Sequence, residues 1–531
     1  MILPYIMGAC LLCALATFAA ELLVKPKIRH AKFDFKIGLI HLSLFGFIYG
    51  FMLLITGKII FSAMVTFLLY CILIVINNAK YLNLKEPLVF SDYDYFTDAF
   101  RFPRLYIPFL GVLGILGIMT AVAVIICGFC IDPSKVDRFT DAVTFLTVMG
   151  IEMGSLLVLW CTRDIKNLNT FNIGEDLNNM GFAVFLWSYF LAYLEKPEVK
   201  SPFESFIVGH EHTDANVLSE KAEDKTADVS ELSPEGNKDL PNLIAIQSES
   251  FFDPREWNQN IKEEVLKDYD AIRSESLMWG KMKVPAWGAN TIRTEFSFLT
   301  GIAPEDMKGH RFSPYQISST SWKIVSFVNY LKSRGYHTVC IHPYHSGFYH
   351  RDVIFKKWQF DEFLDIRSFS KADRFGPYVS DSAIADRMGD LCDEWNGRKP
   401  LFIFMITMEN HGPLNLESIS DEDVQGYFKE PVSEDYRDLA IYLRHISNEN
   451  DMLKKITCHF KEKNYPVSMV FYGDHVPILP KPYACLGEPE GTVPYFIWNW
   501  NLKSGEGRTL LNGDIQELPI LWLKSIFNFS Y

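Results

Sequence analysis

The sequence predicts a fold of two unlike halves, an N-terminal polytopic α-helical membrane domain and a C-terminal α/β domain. Within the first 200 residues, long apolar runs follow one another with few charges. In the second half, short strand-like apolar runs alternate with helix-like patterns, an order that favours a mostly parallel, doubly wound sheet. A stretch rich in Glu, Asp, Lys, Ser and Pro separates the halves. We therefore assign residues 1–195 to the membrane domain, 196–241 to a polar linker and 242–531 to the α/β domain.

Five apolar runs in the first half are each near the length that a helix needs to cross a bilayer, about 20 residues. They cover Met1–Val24, Ile37–Gly57, Ile59–Ile76, Tyr106–Cys130 and Ala142–Cys161. A sixth candidate, Met180–Leu194, is shorter and carries Trp and Tyr, as is typical of a helix lying at the membrane interface. The sequence therefore predicts five spans, or six if this segment also crosses.

Charge gives information on orientation and on partners. The basic loop between residues 25 and 36 would lie in the cytoplasm by the positive-inside rule. Five spans would then leave the α/β domain in the cytoplasm, whereas six would place it outside. The net charge of −13 argues against nucleic acid as a partner, because phosphate binding needs a basic surface.

Four strand-like runs of the second half each stop at a group of carboxylates or histidines. Ligands of an open α/β sheet bind just beyond the carboxyl ends of its strands, so these four ends predict one active site. The runs Leu243–Gln247, Thr338–Ile341, Leu401–Thr407 and Val467–Tyr472 lead to Glu249, to His342, to Glu409 with His411, and to Asp474 with His475.

A candidate nucleophile lies outside these four ends. Thr291 follows a Gly and Asn turn and stands where a helix can start. A threonine in this position is usually an N-cap, although a helix N-terminus also favours negative charge. Glu249, Asp474 and His475 offer two oxygens and one nitrogen to a divalent cation, and such a cation can activate a hydroxyl. Thr291 is therefore either a helix cap or a nucleophile.

Other polar residues close to these positions have more ordinary interpretations. Glu295, one turn after Thr291, is expected to be structural, either by pairing with Arg293 or by capping the same helix. Glu409 and Asn410 are open between a structural role and a place in the site.

Five motifs follow one another in the second half. They read LIAIQSESFFD, GANTIRTEFSFLTG, HPYHSGFYHRD, TMENHGP and FYGDHVP, and they span most of residues 242–500. Together they resemble the lipoteichoic acid synthase and phosphoglycerol transferase family, within the alkaline phosphatase and sulfatase superfamily. The resemblance implies a sulfatase-like fold for the C-terminal domain, behind a multi-span membrane domain.

The resemblance also implies an activity and a location. In that family a threonine attacks the glycerophosphate head group of phosphatidylglycerol and diacylglycerol leaves. The glycerophosphate then passes from a phosphothreonine to a hydroxyl of a glycan or a glycerophosphate polymer. The catalytic domain of these enzymes lies outside the cytoplasmic membrane. This implies that residues 242–531 lie at the periplasmic or extracellular side of a bacterial inner membrane.

Roles for single residues are implied in the same way. Thr291 would be the nucleophile. The implied ligands of Mn²⁺ or Mg²⁺ are Glu249, Thr291, Asp474 and His475. The implied head-group pocket consists of His342, Tyr349, Arg351 and His411. His411 would also protonate the leaving diacylglycerol oxygen, and Tyr349 stands where the lipoteichoic acid synthases have Trp.

Three other functions predict different residues. A sulfatase-type hydrolase needs a formylglycine made from Cys or Ser in a C/S-x-P-x-R setting, which Thr291-Ile292-Arg293 does not provide. A phosphoethanolamine transferase is chemically closer, but the Ser-Glu-Ser-Phe-Phe and Thr-Glu-Phe combination favours phosphoglycerol. A membrane-anchored receptor without activity would be expected to lack a metal ligand or the nucleophile, and all four positions are present.

Overall fold

The computed structural model describes most of the chain and divides into two compact units. The described residues are 2–28, 34–93, 101, 103–137, 139, 141–207, 240–319, 322–395, 399–414, 417–502 and 508–527. The first unit comprises Met1–Pro197 with Lys308–Phe312, and the second comprises Glu198–Met307 with Ser313–Tyr531.

Among the described residues, five helices of the first unit are long and apolar enough to cross a membrane. They are α1 (Ile2–Ala20), α2 (Phe35–Thr56), α3 (Ile59–Leu84), α4 (Pro103–Ile131) and α5 (Ala142–Cys161). The predicted set of five apolar helices is confirmed. Two shorter helices follow, α6 (Ile173–Met180) and α7 (Phe182–Tyr193). Helix α7, the candidate sixth span, has 12 residues and extends over about 18 Å, less than the roughly 30 Å of a hydrocarbon core.

Small residues allow α2 and α5 to approach each other closely. A Cβ atom on Gly46 would lie 2.9 Å from the Ser155 hydroxyl, and one on Gly50 would overlap the Glu152 carboxylate. Glu152 and Ser155 are both buried. Glycine therefore makes room for two polar side chains inside an apolar bundle, as is common where membrane helices pack.

The second unit is built on a mixed sheet. Its strands, with those of a separate hairpin, are β1 (Asn242–Ser248), β2 (Met278–Lys283), β3 (His337–Ile341), β4 (Glu362–Leu364), β5 (Arg374–Phe375), β6 (Tyr378–Val379), β7 (Leu401–Ile406), β8 (Val467–Gly473), β9 (Val493–Trp500), β10 (Thr509–Leu510) and β11 (Gly513–Asp514). The order is β10–β2–β9–β8–β1–β7–β3–β4, with β11 beside β2, and β5–β6 form the hairpin. Strands β8, β1, β7, β3 and β4 are parallel as predicted, while β9 runs antiparallel to β2 and β8.

Helices cover both faces of this sheet. They are α8 (Pro254–Trp257), α9 (Lys267–Glu275), α10 (Thr291–Thr300), α11 (Pro314–Ser319), α12 (Phe327–Ser333), α13 (Arg351–Lys357), α14 (Asp381–Trp395), α15 (Asp421–Gly426), α16 (Arg437–Lys463), α17 (Pro480–Leu486) and α18 (Leu518–Ile526). Ile244 and Ile246 of β1 pack in one core with α14 and α16, and Leu243 and Ala245 pack in the other with α10, α12 and α18. Burial on both faces explains why the central strands are apolar without alternation.

The polar segment 196–241, expected to be a linker, is in part integrated into the second unit. Phe203 is fully buried and its ring stacks on Tyr330 with a centroid distance of 6.3 Å. The Ser201 hydroxyl donates a hydrogen bond to the Thr300 carbonyl over 2.8 Å. Packing of the second unit therefore starts before residue 242. The charged part of the segment, residues 208–239, lies outside the described residues.

Gly473, the last residue of β8, allows the ends of β1 and β8 to close on each other. It pairs in register with Ser248. A Cβ atom on Gly473 would overlap the Phe251 carbonyl oxygen and lie 3.2 Å from the Cβ of Val493. A backbone carbonyl cannot move aside as a flexible side chain can, so only glycine fits between these strand ends.

We expect Gly473→Ala to destabilise the second unit by about 1–3 kcal/mol, because the added methyl group overpacks the strand ends. The measurement is the thermal unfolding midpoint of the full-length protein in detergent. Gly426→Ala is the matched control, since a Cβ atom there meets nothing within 4 Å. Equal midpoints for the two variants would contradict the steric explanation.

Candidate active site

The parallel order of the central strands brings the predicted site residues to one edge of the sheet. Strand β1 lies between β8 and β7, and β3 follows β7. Glu249 follows β1, Asp474 follows β8 and His342 follows β3. The prediction of a shared location at the carboxyl ends of the strands therefore agrees with the sheet order.

Glu249, Asp474 and His475 form a candidate metal centre. Their ligand atoms all lie within 4.8 Å of one another, and all three residues are buried. The His475 Nε2 atom is 3.4 Å from Asp474 Oδ2 and 3.7 Å from Glu249 Oε1. Within the described part of the chain, no other group of three or more His, Cys, Asp or Glu residues has its ligand atoms this close together.

The hydrogen bonds around this group fit a bound cation. His475 Nδ1 lies 3.0 Å from the Val476 carbonyl and donates to it, which leaves the Nε2 lone pair directed at the two carboxylates. Ser250 N–H donates to Asp474 Oδ1 over 2.7 Å. The buried Asp474 Oδ2 and His475 Nε2 have no hydrogen-bond partner among the described residues. Two carboxylate oxygens and an imidazole nitrogen are ligands that suit a divalent ion such as Mn²⁺.

Electrostatics point in the same direction. Burial and the neighbouring Asp474 carboxylate raise the pKa of Glu249 to about 7. Two carboxylates buried this closely repel each other, and a divalent cation between them removes the repulsion. The donor set, its burial and its unpaired atoms therefore fit a metal ion.

Thr291 is the first residue of α10, and its hydroxyl is directed at this group. The preceding residue, Asn290, has a left-handed backbone (φ 68°) and occupies the N-cap position. Thr291 Oγ1 donates to Glu249 Oε2 over 3.4 Å. The interpretation of Thr291 as a helix cap is therefore wrong. The hydroxyl of Thr294, one turn later, donates to the Asp474 carbonyl over 2.7 Å and fastens α10 to the end of β8.

Glu295 has a different partner from the one expected. Its carboxylate accepts hydrogen bonds from Arg351, at 2.8 Å from Nη2 and 3.0 Å from Nε, and from the Tyr315 hydroxyl at 2.7 Å. Glu295 is fully buried and Arg351 is 2% exposed. The expectation of an Arg293 pair or a helix cap is thus wrong for the Glu295 carboxylate. Arg351 instead joins the start of α13 to α10.

A further hydrogen bond of Arg351 fixes the tautomer of His342. Arg351 Nη1 donates to His342 Nε2 over 3.1 Å, so His342 Nδ1 carries the proton and donates to the Ile406 carbonyl at 3.3 Å. Burial and the Arg351 charge hold the pKa of His342 well below its usual value. His342 is therefore neutral and anchored between two strand ends, and the Tyr349 ring lies 5.4 Å from the Arg351 guanidinium.

His411 also has a defined orientation. Its Nδ1 donates to the Gly412 carbonyl over 2.6 Å, which leaves Nε2 as the unprotonated nitrogen. Burial lowers the pKa of His411. The Tyr378 hydroxyl lies 3.2 Å from His411 Nδ1. Tyr378 comes from the short β5–β6 hairpin and was not predicted from the sequence, because a strand of two residues leaves no periodic signal.

Glu409 and Asn410, whose roles the sequence left open, are both buried at the end of β7. Glu409 accepts hydrogen bonds from His445 Nδ1 over 3.0 Å and from the Asp381 N–H over 2.8 Å. Although burial opposes it, the hydrogen bonds to Glu409 and Glu417 raise the pKa of His445. Both ring nitrogens of His445 face carboxylates, since Nε2 lies 2.9 Å from Glu417 Oε1, and His445 is therefore the partner of the buried Glu409.

Fold and site together define a membrane-anchored α/β protein with a candidate metal centre at the carboxyl ends of its strands. The chain belongs to the sulfatase family, whose model matches residues 241–508. The superfamily implied by the five motifs is thus confirmed.

Relatives and solved structures extend the comparison. The capsular polysaccharide biosynthesis protein RkpI of Rhizobium meliloti (strain 1021) is 26% identical over 458 residues, 83% of this chain and 78% of that protein. The integral membrane lipooligosaccharide phosphoethanolamine transferase A (EptA) of Neisseria meningitidis has a TM-score of 0.50 and 13% identity, over 94% of this chain and 87% of that chain. The Streptococcus pyogenes phosphoglycerol transferase GacH has a TM-score of 0.46 and 22% identity, over 62% and 84%. The likeness to EptA shows a similar fold for the membrane and α/β parts.

We expect Glu295→Gln to destabilise the protein by about 3–5 kcal/mol, because it leaves the buried Arg351 guanidinium without a counter-charge. Thermal unfolding of the full-length protein measures the loss. Glu256→Gln is the control: Glu256 forms an exposed ion pair with Lys281, and such pairs contribute about 0–1 kcal/mol. A Glu295→Gln variant as stable as the control would show that Arg351 has another counter-charge.

Proposed function

We propose that the protein transfers glycerophosphate from phosphatidylglycerol to a hydroxyl of a glycan or polymer, through a phosphothreonine at Thr291. The observation that carries this proposal is the direction of the Thr291 hydroxyl, which lies 3.4 Å from Glu249 within the candidate metal centre. A hydroxyl at a helix N-terminus and beside a cation is well placed to act as a nucleophile.

The first half-reaction follows from the placement of the side chains. A bound Mn²⁺ or Mg²⁺ would neutralise charge on the phosphate oxygens and on the threonine oxygen. The Thr291 oxygen attacks phosphorus, its proton passes toward Glu249, and the bond from phosphorus to the diacylglycerol oxygen breaks. His411 takes part in this step as the imidazolium, which carries a second proton on Nε2, and it gives that proton to the leaving oxygen; the lowered pKa makes the imidazolium a stronger acid. The positive end of α10 stabilises the phosphate in the meantime.

The second half-reaction runs the same chemistry in the opposite direction. His411, now neutral at Nε2, takes the proton of the acceptor hydroxyl, and the hydroxyl oxygen attacks the phosphothreonine. The lowered pKa of His411 suits this role, because the neutral imidazole is the form that accepts a proton. The bond from phosphorus to the Thr291 oxygen breaks, Thr291 regains its proton from Glu249, and the glycerophosphate is bound to the acceptor.

The chemistry of the proposed head-group residues supports glycerol over ethanolamine. His342, Tyr349, Arg351 and His411 are neutral or cationic, and none offers a carboxylate. An ethanolamine ammonium group would find no counter-charge among them, and the carboxylate of Glu295 is already paired with Arg351, whereas glycerol hydroxyls can bond with the His411 imidazole and the Tyr349 phenol. Phosphatidylglycerol is therefore the favoured donor.

We infer that the second unit acts at the periplasmic or extracellular side of a bacterial inner membrane. The proposed glycan acceptor would be met at this side of the membrane. The similarity to RkpI, a capsular polysaccharide biosynthesis protein, agrees with such an acceptor. With five crossings the N-terminus would lie in the cytoplasm. The basic loop between residues 25 and 36 would then lie outside, against the positive-inside rule.

Thr291→Ala is expected to lower diacylglycerol release from phosphatidylglycerol by at least about 10³-fold, because the nucleophile is lost. The assay uses full-length protein in detergent with acyl-labelled phosphatidylglycerol. Thr300→Ala is the control, since Thr300 ends the same helix and its hydroxyl bonds to the Phe296 carbonyl. Diacylglycerol release by Thr291→Ala at the native rate would exclude the covalent mechanism.

The choice of donor is tested with two lipids side by side. Phosphatidylglycerol and phosphatidylethanolamine, each labelled in the head group, are incubated with the native protein and with Thr291→Ala. We expect label to enter the native protein from phosphatidylglycerol alone, and chelation of divalent ions to prevent it. Label entering from phosphatidylethanolamine alone would identify a phosphoethanolamine transferase instead.

A further inference from the structure

A second group of oxygen ligands lies buried at the same edge of the sheet. Ser248 ends β1, Asn410 follows β7, Asp381 begins α14 and Glu449 lies in α16. None of these four residues is more than 1% exposed. They come from four different elements, yet none of them belongs to the candidate metal centre.

Contacts join the side chains of three of these residues and bring the backbone of Asp381 close to them. Asn410 Nδ2 donates to Glu449 Oε2 over 3.0 Å, so the Asn410 amide lies against the Glu449 carboxylate. The Ser248 hydroxyl faces the same carboxylate. The Asp381 N–H donates to Glu409, the residue before Asn410, over 2.8 Å.

Four acceptor atoms of this group have no donor at hydrogen-bond distance, although the Glu409 N–H approaches the Asp381 carboxylate and the Ser248 hydroxyl approaches that of Glu449. Both carboxylate oxygens of Asp381, Oε1 of Glu449 and Oδ1 of Asn410 are buried without a hydrogen-bond partner in the described part of the chain. Unpaired buried acceptors of this kind are rare and costly. Protons on the two acids would satisfy some of these oxygens, whereas a cation can take lone pairs from several of them at once.

Charge leads to the same conclusion. Burial and the carboxylates of Glu409 and Glu449 raise the pKa of Asp381 well above its usual value, and burial raises that of Glu449 to about 8. Glu409 is already paired with His445. No cationic side chain of the described residues forms an ion pair with Asp381 or Glu449. Two buried acids are therefore left without a counter-charge, and one divalent ion would balance both.

We propose that Ser248, Asp381, Asn410 and Glu449 bind a second divalent cation. Every ligand atom in this group is an oxygen, from a carboxylate, an amide or a hydroxyl. Ligand sets made only of oxygen suit a hard ion, Ca²⁺ or Mg²⁺. The candidate metal centre differs, because it includes the His475 imidazole. A second ion joins the ends of β1 and β7 and so holds the backbone next to Glu249 and His411.

The experiment counts bound ions and does not measure transfer. Full-length protein in detergent is stripped with a chelator, dialysed against Ca²⁺ alone or Mg²⁺ alone, and analysed by elemental mass spectrometry. Asp381→Asn and Glu449→Gln are each expected to lose about one ion per chain relative to the native protein. Asp474→Asn, which removes a ligand of the candidate metal centre, is expected to keep the second ion.

Asp386→Asn is the matched control, because Asp386 lies on the same helix as Asp381, is largely exposed and pairs with Lys455. It is expected to bind as many ions as the native protein. Should Asp381→Asn fail to fold, the number of ions bound per chain by Glu449→Gln and by the native protein still shows whether a second ion is bound. Asp381→Asn with unchanged ion content and a higher melting temperature would mean that Asp381 is simply protonated, and the proposal would be wrong. Because no lipid is present, this outcome is independent of the donor and of Thr291.

Discussion

Negative charge collected at the carboxyl ends of parallel strands is the constraint on which this site depends. Three neighbouring strands, β8, β1 and β7, deliver Asp474, Glu249 and Glu409 to a place where water is excluded. Burying several carboxylates without counter-charges costs more than a fold can supply. Each acid therefore needs a partner: His445 serves Glu409, and the unpaired lone pairs of Asp474 and His475 leave room for a metal ion.

The position of the nucleophile follows from the same constraint. Helix α10 is held at the strand ends by the Thr294 hydroxyl and by the buried pair between Glu295 and Arg351. Its positive N-terminus thereby meets the buried carboxylates of the candidate metal centre. Phosphoryl transfer is mainly a matter of position and charge neutralisation, and these contacts fix both before a substrate arrives. Arg351 is largely committed to Glu295 and His342, so its charge helps to build the pocket wall.

How much the sequence predicted depends on whether a signal is local. Asp474 and His475 directly follow an apolar strand, so the spacing alone indicates their place at the sheet edge. The pairing of Glu295 with Arg351 joins residues 56 positions apart, and no local pattern could select that partner over a nearer arginine. Tyr378 lies in a two-residue strand without periodicity. The membrane helices were predicted well because about 20 consecutive apolar residues are a strong signal. The polar composition of the linker, by contrast, gave no sign that Phe203 within it is buried.

The metal ligands and the proposed head-group residues are carried by different elements. Strands β1 and β8 hold the metal end, while β3, β7 and the β5–β6 hairpin supply His342, His411 and Tyr378. Insertions or substitutions in the loops after β3 and in the hairpin can change what is recognised without disturbing the ion or the threonine. Relatives that bind different head groups could therefore diverge from one such scaffold by altering only these loops. The metal ligands on β1 and β8 can stay constant while the residues that contact the head group change on β3, β7 and the hairpin.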